Sequence, residues 1–233
     1  MPETAEEVAR LDGITREDAD AFALRSHQRA IAAIGAGRLA AEIVAVPTPR
    51  GGSVDTDEGP RRDTTLDVLA GLRPVVAGGS VVTAGNASSL NDGASALVVA
   101  GSAAVERHGL TPRARIVASA SAALAPEIMG LGPVPATEKA LAKAGLTAAD
   151  LGAVELNEAF ATQSLASMRR LGLDPEIVNA DGGAIALGHP LGSSGSRILL
   201  TLLGRMEREG ARYGLATMCV GVGQGTAMIV ERM

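Results

Sequence analysis

Tryptophan is absent from this 233-residue chain, cysteine occurs once, and Phe22, Phe160 and Tyr213 are the only aromatic residues. One cysteine excludes an intrachain disulfide and fits a reducing compartment. Hydrophobic residues still make up 46%, so Ala, Val, Leu, Ile and Gly must fill the interior. Such a composition suits tightly stacked helix and sheet layers better than aromatic-centred packing. Positive charge is also scarce: the net charge is −5 and no basic run occurs, which excludes a general nucleic-acid field. Any anionic ligand must find local cations. No apolar run reaches membrane-spanning length, and the first residues, MPETAEEVARLDG, lack a signal-like apolar core. A soluble, cytoplasmic protein without a membrane partner is expected. No period of 20–50 residues repeats.

Local patterns predict helices at 4–12, closed by Gly13, and from Thr15 to about Gly35, where Thr15-Arg16-Glu17-Asp18 forms a capping box. EIVAV (42–46) reads as a strand stopped by Pro47 and Pro49, and 50–67 as a surface excursion. VVTAG (81–85) and ALVVA (96–100) look strand-like, and a helix is expected at 102–108. From Arg113 onward strands and helices alternate. ARIVASASA, AVEL and the pair LATMCV/TAMIVE are strands; 135–145, 159–171 and 190–209 are helices; EIVN (176–179) is a brief extended piece. This order predicts an α/β layered domain.

Three islands carry reactive side chains among small residues: Asn157 in NEAFA, His189 in GGAIALGHPLGSSGSR, and Cys219 in MCVGVGQG. A free thiol titrates near enough to neutrality to give and take a proton, and donors from the following turn would lower its pKa. Gly221, Gly223 and Gly225 leave the backbone bare for a close ligand. The competing view of Cys219 is a small buried hydrophobe. His189 precedes Pro190 at an expected helix N-terminus, where the helix dipole disfavours imidazolium and a neutral ring can donate one N–H; the plain alternative is a structural cap. Asn157 has N-capping as its ordinary role. Glu158 reads as a structural hydrogen-bonding residue. His27 reads as an exposed helix residue, and His108 as a C-terminal cap beside Gly109. No Gly-Lys-Ser/Thr follows the glycine-rich 182–195 stretch, so a nucleoside-triphosphate loop is a poor reading.

The motifs NEAFA, GHPxGxSGxR and CxGxGxG, in this order and spacing, closely resemble those of the thiolase family, and the resemblance runs along the whole chain. It implies a thiolase-like layered α/β fold. Residues 1–90 would be a partial CoA-binding loop domain, 91–112 the returning end of the N-terminal core domain, and 113–233 the complete C-terminal core domain. It further implies thiolysis of a 3-ketoacyl-CoA by CoA, or the reverse Claisen condensation, with no cofactor beyond coenzyme A as substrate. Acetoacetyl-CoA, longer fatty acyl and 3-oxoadipyl-CoA substrates all fit, with RYGLATMCVGVGQG and DEGPRRDTTL leaning toward the 3-oxoadipyl and degradative enzymes. By resemblance Cys219 is the acid/base cysteine, and His189 with a water held by Asn157 binds the thioester oxygen. The Gly221 amide contributes to a second oxyanion hole. Arg61 would contact the nucleotide of CoA, Ala84 and Ser88 the pantetheine amides, and Met129, Ala159 and Phe160 the pantetheine tunnel. Val68 and Val76 depart from relatives that carry serine and phenylalanine there. The family uses a second, nucleophilic cysteine in an N-terminal half, which this sequence lacks. A companion N-terminal half is therefore expected for activity, the resemblance implies a homo-oligomer if the enzyme is complete, and a non-catalytic CoA- or acyl-CoA-binding remnant is the alternative.

Overall fold

The computed structural model describes residues 1–233. Helix α1 (Pro2–Asp12) ends at Gly13, and α2 (Arg16–Gly35) starts where the Thr15 side chain accepts from the Asp18 amide. Val8, Ala19, Phe22 and Ala23 on these helices belong to the main core. The expected strand at 42–46 does not form. Ala40–Glu42 is a 3₁₀ turn, and only β1 (Val46–Pro47) pairs with β2 (Ser53–Val54), both exposed. Helix α3 (Leu66–Ala70), capped by Thr65, anchors the exposed excursion through Leu69.

Two further strand-like runs remain unpaired as strands. VVTAG forms a turn with a single bridge, Pro74↔Thr83. ALVVA forms no regular element and has no neighbouring strand, and Val98 and Val99 are 90% and 77% exposed. β-Propensity supplies a conformation; a ladder also needs a second chain segment to take its N–H and C=O groups. Helix α4 (Ser102–His108) follows and stops at Gly109.

The main sheet has the order β3 (Ala114–Ala123), β6 (Gln224–Arg232), β5 (Tyr213–Val220), β4 (Leu151–Leu156), antiparallel except for the parallel β4–β5 pair. Between β3 and β4 lie a 3₁₀ segment, Pro126–Leu131, and helix α5 (Pro133–Ala144). After β4 come α6 (Ala161–Leu171), a short α7 (Ala184–Leu187) and α8 (Ser194–Glu209). Alternation along the strands divides the sheet into two buried faces. Val154, Leu215 and Ile229 point to the side of α5 and α6, whereas Ala153, Ala216 and Val230 meet Ile198, Leu202 and Met206 of α8. The EIVN piece adds one parallel bridge, Val154↔Val178.

A strip of extended chain at 86–91 sews this architecture together. Asn86 O accepts from the Ala161 amide at 2.9 Å, Ser88 N donates to Ala159 O at 3.0 Å, and Ser89 O accepts from the His189 amide at 3.0 Å.

Candidate active site

Asn157 follows directly from the end of β4 and is completely buried. It does not cap α6, whose N-cap is Phe160. The strand end is held by Asn179, which has φ +47°, a conformation that asparagine tolerates better than most residues. Its side chain accepts from Leu156 N at 2.8 Å and donates to Leu156 O at 2.7 Å and Glu158 Oε1 at 2.9 Å. Glu158 is buried too, taking Ser26 Oγ at 2.6 Å and the Ile185 amide at 3.2 Å. Burial pushes its carboxyl up despite those donors. Its bonds join α2, α7 and the 179 turn, the structural role expected of it.

His189 lies between α7 and α8, not at the N-terminus of a helix: α8 begins only at Ser194, after the turn 190–193. Its pKa is lowered by burial and then by the charge of Arg197, so the helix-dipole cause expected from sequence is replaced by desolvation. Nδ1 is 2.6 Å from Ser194 Oγ, which also donates to Pro190 O at 3.0 Å. Nε2 is 3.4 Å from Asn157 Nδ2. With the serine hydrogen on Pro190 O, Nδ1 carries the ring proton and Nε2 accepts; turning that hydroxyl toward Nδ1 moves the proton to Nε2. The Ser194 rotor therefore sets the tautomer. Asn157 Oδ1 is buried with no partner, an open acceptor beside the ring.

Cys219 is near the end of β5, opposite Gly225 of β6. Gly225 has no room for a side chain, because a Cβ there would collide with the backbone of Gly132. This approach seats the hairpin tip on the 126–132 segment. Cys219 is buried beside Met129, Ala159 and Phe160. Burial pushes its thiol up to about 12, outweighing the backbone hydrogen bond that acts in the opposite direction. The lowered pKa expected from the following turn is therefore not found. The thiol donates to Gln163 Oε1 at 3.2 Å, and Gln163 Nε2 donates to Asn157 O at 3.4 Å. Through Gln163 and the Asn157–His189 contact, the sulfur, the carboxamide and the imidazole belong to one network.

The other sequence candidates divide into two groups. Met129, Ala159 and Phe160 line the thiol's surroundings, and Ser88 joins them through the bond from its Oγ to Ala159 O at 3.1 Å. Gly221 sits in the hairpin turn next to Cys219, partly exposed. Arg61 and Ala84 are exposed, and the Arg61 side chain makes no hydrogen bond to these residues. Arg61 is held instead by its backbone: its amide donates to His27 Nδ1 at 3.2 Å. His27 is 5% exposed, not on the surface as the helix pattern predicts. Burial and the Arg61 charge lower its pKa and keep it an acceptor. Sequence reasoning missed Gln163, Asn179 and Ser194. The spacing offered one signal: Ser194 falls five residues after His189 within the same island, and Gln163 six residues after Asn157, two beyond the end of NEAFA.

Comparison with known proteins agrees with this arrangement. Residues 1–103 match the family model described as thiolase, N-terminal domain, and residues 110–232 that described as thiolase, C-terminal domain. A beta-ketoadipyl-CoA thiolase of Pseudomonas aeruginosa is 58% identical over 100% of this chain and 59% of its own length. A 3-oxoadipyl-CoA/3-oxo-5,6-dehydrosuberyl-CoA thiolase of Escherichia coli is 54% identical, with 100% and 60% covered. The crystal structure of human mitochondrial 3-ketoacyl-CoA thiolase in complex with CoA superposes with a TM-score of 0.97 at 46% identity, covering 99% of this chain and 58% of that one. The chain thus spans about three fifths of the length of the curated relatives it matches. On these matches, and on the three motifs brought into one network, the chain belongs to the thiolase family.

Proposed function

We propose that this chain supplies the acid–base and oxyanion machinery of a thiolase-type acyltransferase acting on 3-ketoacyl-CoA, with 3-oxoadipyl-CoA the first substrate to test. The observation that carries this reading is the linkage of Cys219, Gln163, Asn157 and His189 in one buried network. In thiolysis, an external thiolate attacks C3 of the ketoacyl group and the C2–C3 bond breaks. Its electron pair passes into the enolate of acetyl-CoA. With the Ser194 hydroxyl turned toward Nδ1, His189 carries its proton on Nε2 and donates to the enolate oxygen together with a water on Asn157. The enolate carbon takes the Cys219 proton, yielding acetyl-CoA and the thiolate. That thiolate then accepts the proton of CoA as its sulfur displaces the acyl group. A thiol held up at about 12 is protonated at neutral pH, ready for the donating step. The reverse direction needs the bound substrate to lower it.

The nucleophilic sulfur is not among these 233 residues, whose only cysteine is Cys219. A thiolase N-terminal half, continuous with them or on a companion polypeptide, is proposed to provide it. The loop domain is assigned to 1–90 and the C-terminal core to 113–233, with 91–112 returning from the N-terminal core. Arg61, Ala84 and Ser88 are proposed to hold CoA, and Met129, Ala159 and Phe160 its pantetheine arm. A reducing, cytoplasmic setting suits the free thiol. The single cysteine also favours a second reading, a CoA-binding protein without covalent turnover.

Deuterium exchange into the methyl group of acetyl-CoA separates the two. Exchange needs a base and an oxyanion site but no acyl-accepting sulfur. It is expected with the chain alone, and is lost in Cys219→Ala and His189→Ala. CoA binding with no exchange above buffer would leave only the binding reading.

A further inference from the structure

We propose that Gln163 is a positioning residue for Cys219: its side-chain oxygen takes the thiol hydrogen, and its nitrogen ties that oxygen to the strand end bearing Asn157. The inference rests on the acid–base reading of Cys219 and adds a residue to it. Gln163 lies in the first turn of α6 and is completely buried. Its Oε1 receives the thiol at 3.2 Å, and its Nε2 donates to Ser164 Oγ at 2.8 Å and Asn157 O at 3.4 Å.

The amide can face only one way. Asn157 O is a carbonyl and can only accept, so the nitrogen must point to it and the oxygen to the sulfur. Packing fixes the stem as well, since a Cβ at Gly130 would lie 2.7 Å from Gln163 Cβ. The thiol hydrogen is therefore parked on Gln163, and the sulfur lone pairs turn elsewhere. Because this bond is made to the neutral thiol, it favours the protonated state. Gln163 thus sets both where the proton sits and how readily it leaves.

Infrared spectroscopy tests this on the 233-residue chain, because its sole thiol gives a single S–H stretching band in a window clear of other protein absorptions. Gln163→Met keeps the length and removes the acceptor, so the band is expected to move to higher wavenumber; an unshifted band overturns the proposal. Gln163→Glu keeps an oxygen on the sulfur while the introduced carboxyl is protonated, and there the band stays near its original position. Acetyl-CoA exchange supplies the second readout. Gln163→Met is expected to move the pH profile of kcat about one unit toward lower pH, the worth of roughly one hydrogen bond to the neutral thiol, with KM unchanged. Gln163→Glu should retain activity at low pH and lose it as the carboxyl ionises beside the sulfur. Cys219→Ala in the same assay distinguishes the two failures. Undiminished exchange there removes the acid–base reading itself, whereas loss there with an unaltered Gln163→Met pH profile removes only the role of Gln163.

Discussion

Replacing Asn179 by alanine should be among the most damaging single changes in this chain, although Asn179 touches no reacting atom. Three hydrogen bonds disappear, two of them to the backbone of Leu156, which is 1% exposed. Each buried group left unsatisfied costs about 1–3 kcal/mol. The native φ of +47° adds strain, since an L-residue with a Cβ pays about 1–2 kcal/mol there. A loss of about 4 kcal/mol is therefore expected, a large share of the roughly 5–15 kcal/mol by which domains are stable. Asn179→Gly removes the same bonds but tolerates the backbone angle, and should be about 1 kcal/mol less harmful. Urea unfolding at neutral pH measures both variants. If Asn179→Ala remained within about 1 kcal/mol of the parent, the claim that this side chain completes the strand end would be wrong. Equal losses for alanine and glycine would remove the strain component alone.

Glu155 is buried, one of its oxygens has no partner, and burial raises its carboxyl to about 8 against the opposing pull of Arg197 and Arg205. A carboxyl raised on folding contributes stability below its unfolded pKa and loses it as pH rises through the folded one. Stability should therefore fall from about pH 5 toward pH 8, and Glu155→Gln should flatten that slope in urea titrations; an unchanged slope would refute the assignment. Gly225→Ala should separate the hairpin tip from Gly132, lowering stability by about 3 kcal/mol or more and abolishing acetyl-CoA exchange, as measured by unfolding and deuterium incorporation. Val222 is 80% exposed with φ +67°, so Val222→Gly should raise stability by up to about 1 kcal/mol in thermal unfolding, strain relief exceeding the entropy of glycine.

The C-terminal sheet was legible because its strands carry their burial pattern in alternating residues: Ala153/Val154, Leu215/Ala216 and Ile229/Val230 serve opposite faces. The first hundred residues were harder to read. EIVAV and ALVVA have the composition of strands, but of EIVAV only Val46 is paired, with Val54, and no strand lies beside ALVVA. His27 escapes the sequence pattern for a related reason: its Nδ1 takes the Arg61 amide, a contact no local pattern announces. Cys219, His189 and Asn157 stood out because reactive groups amid glycine and alanine are conspicuous. Gln163 did not, since a glutamine in a helix is ordinary until its partners are known. The direction of the Cys219 shift was likewise hidden, because desolvation depends on neighbours far away in the chain, such as Met129 and Phe160.

The strip at 86–91 bonds to Ala159 and Ala161 on one side and to His189 on the other. Wall and imidazole are thereby laced to a common seam, so neither can breathe independently. The Ser88, Ala161 and His189 amides should exchange with solvent at a shared rate, and a ligand gripping the seam anywhere along its length should quieten all three together.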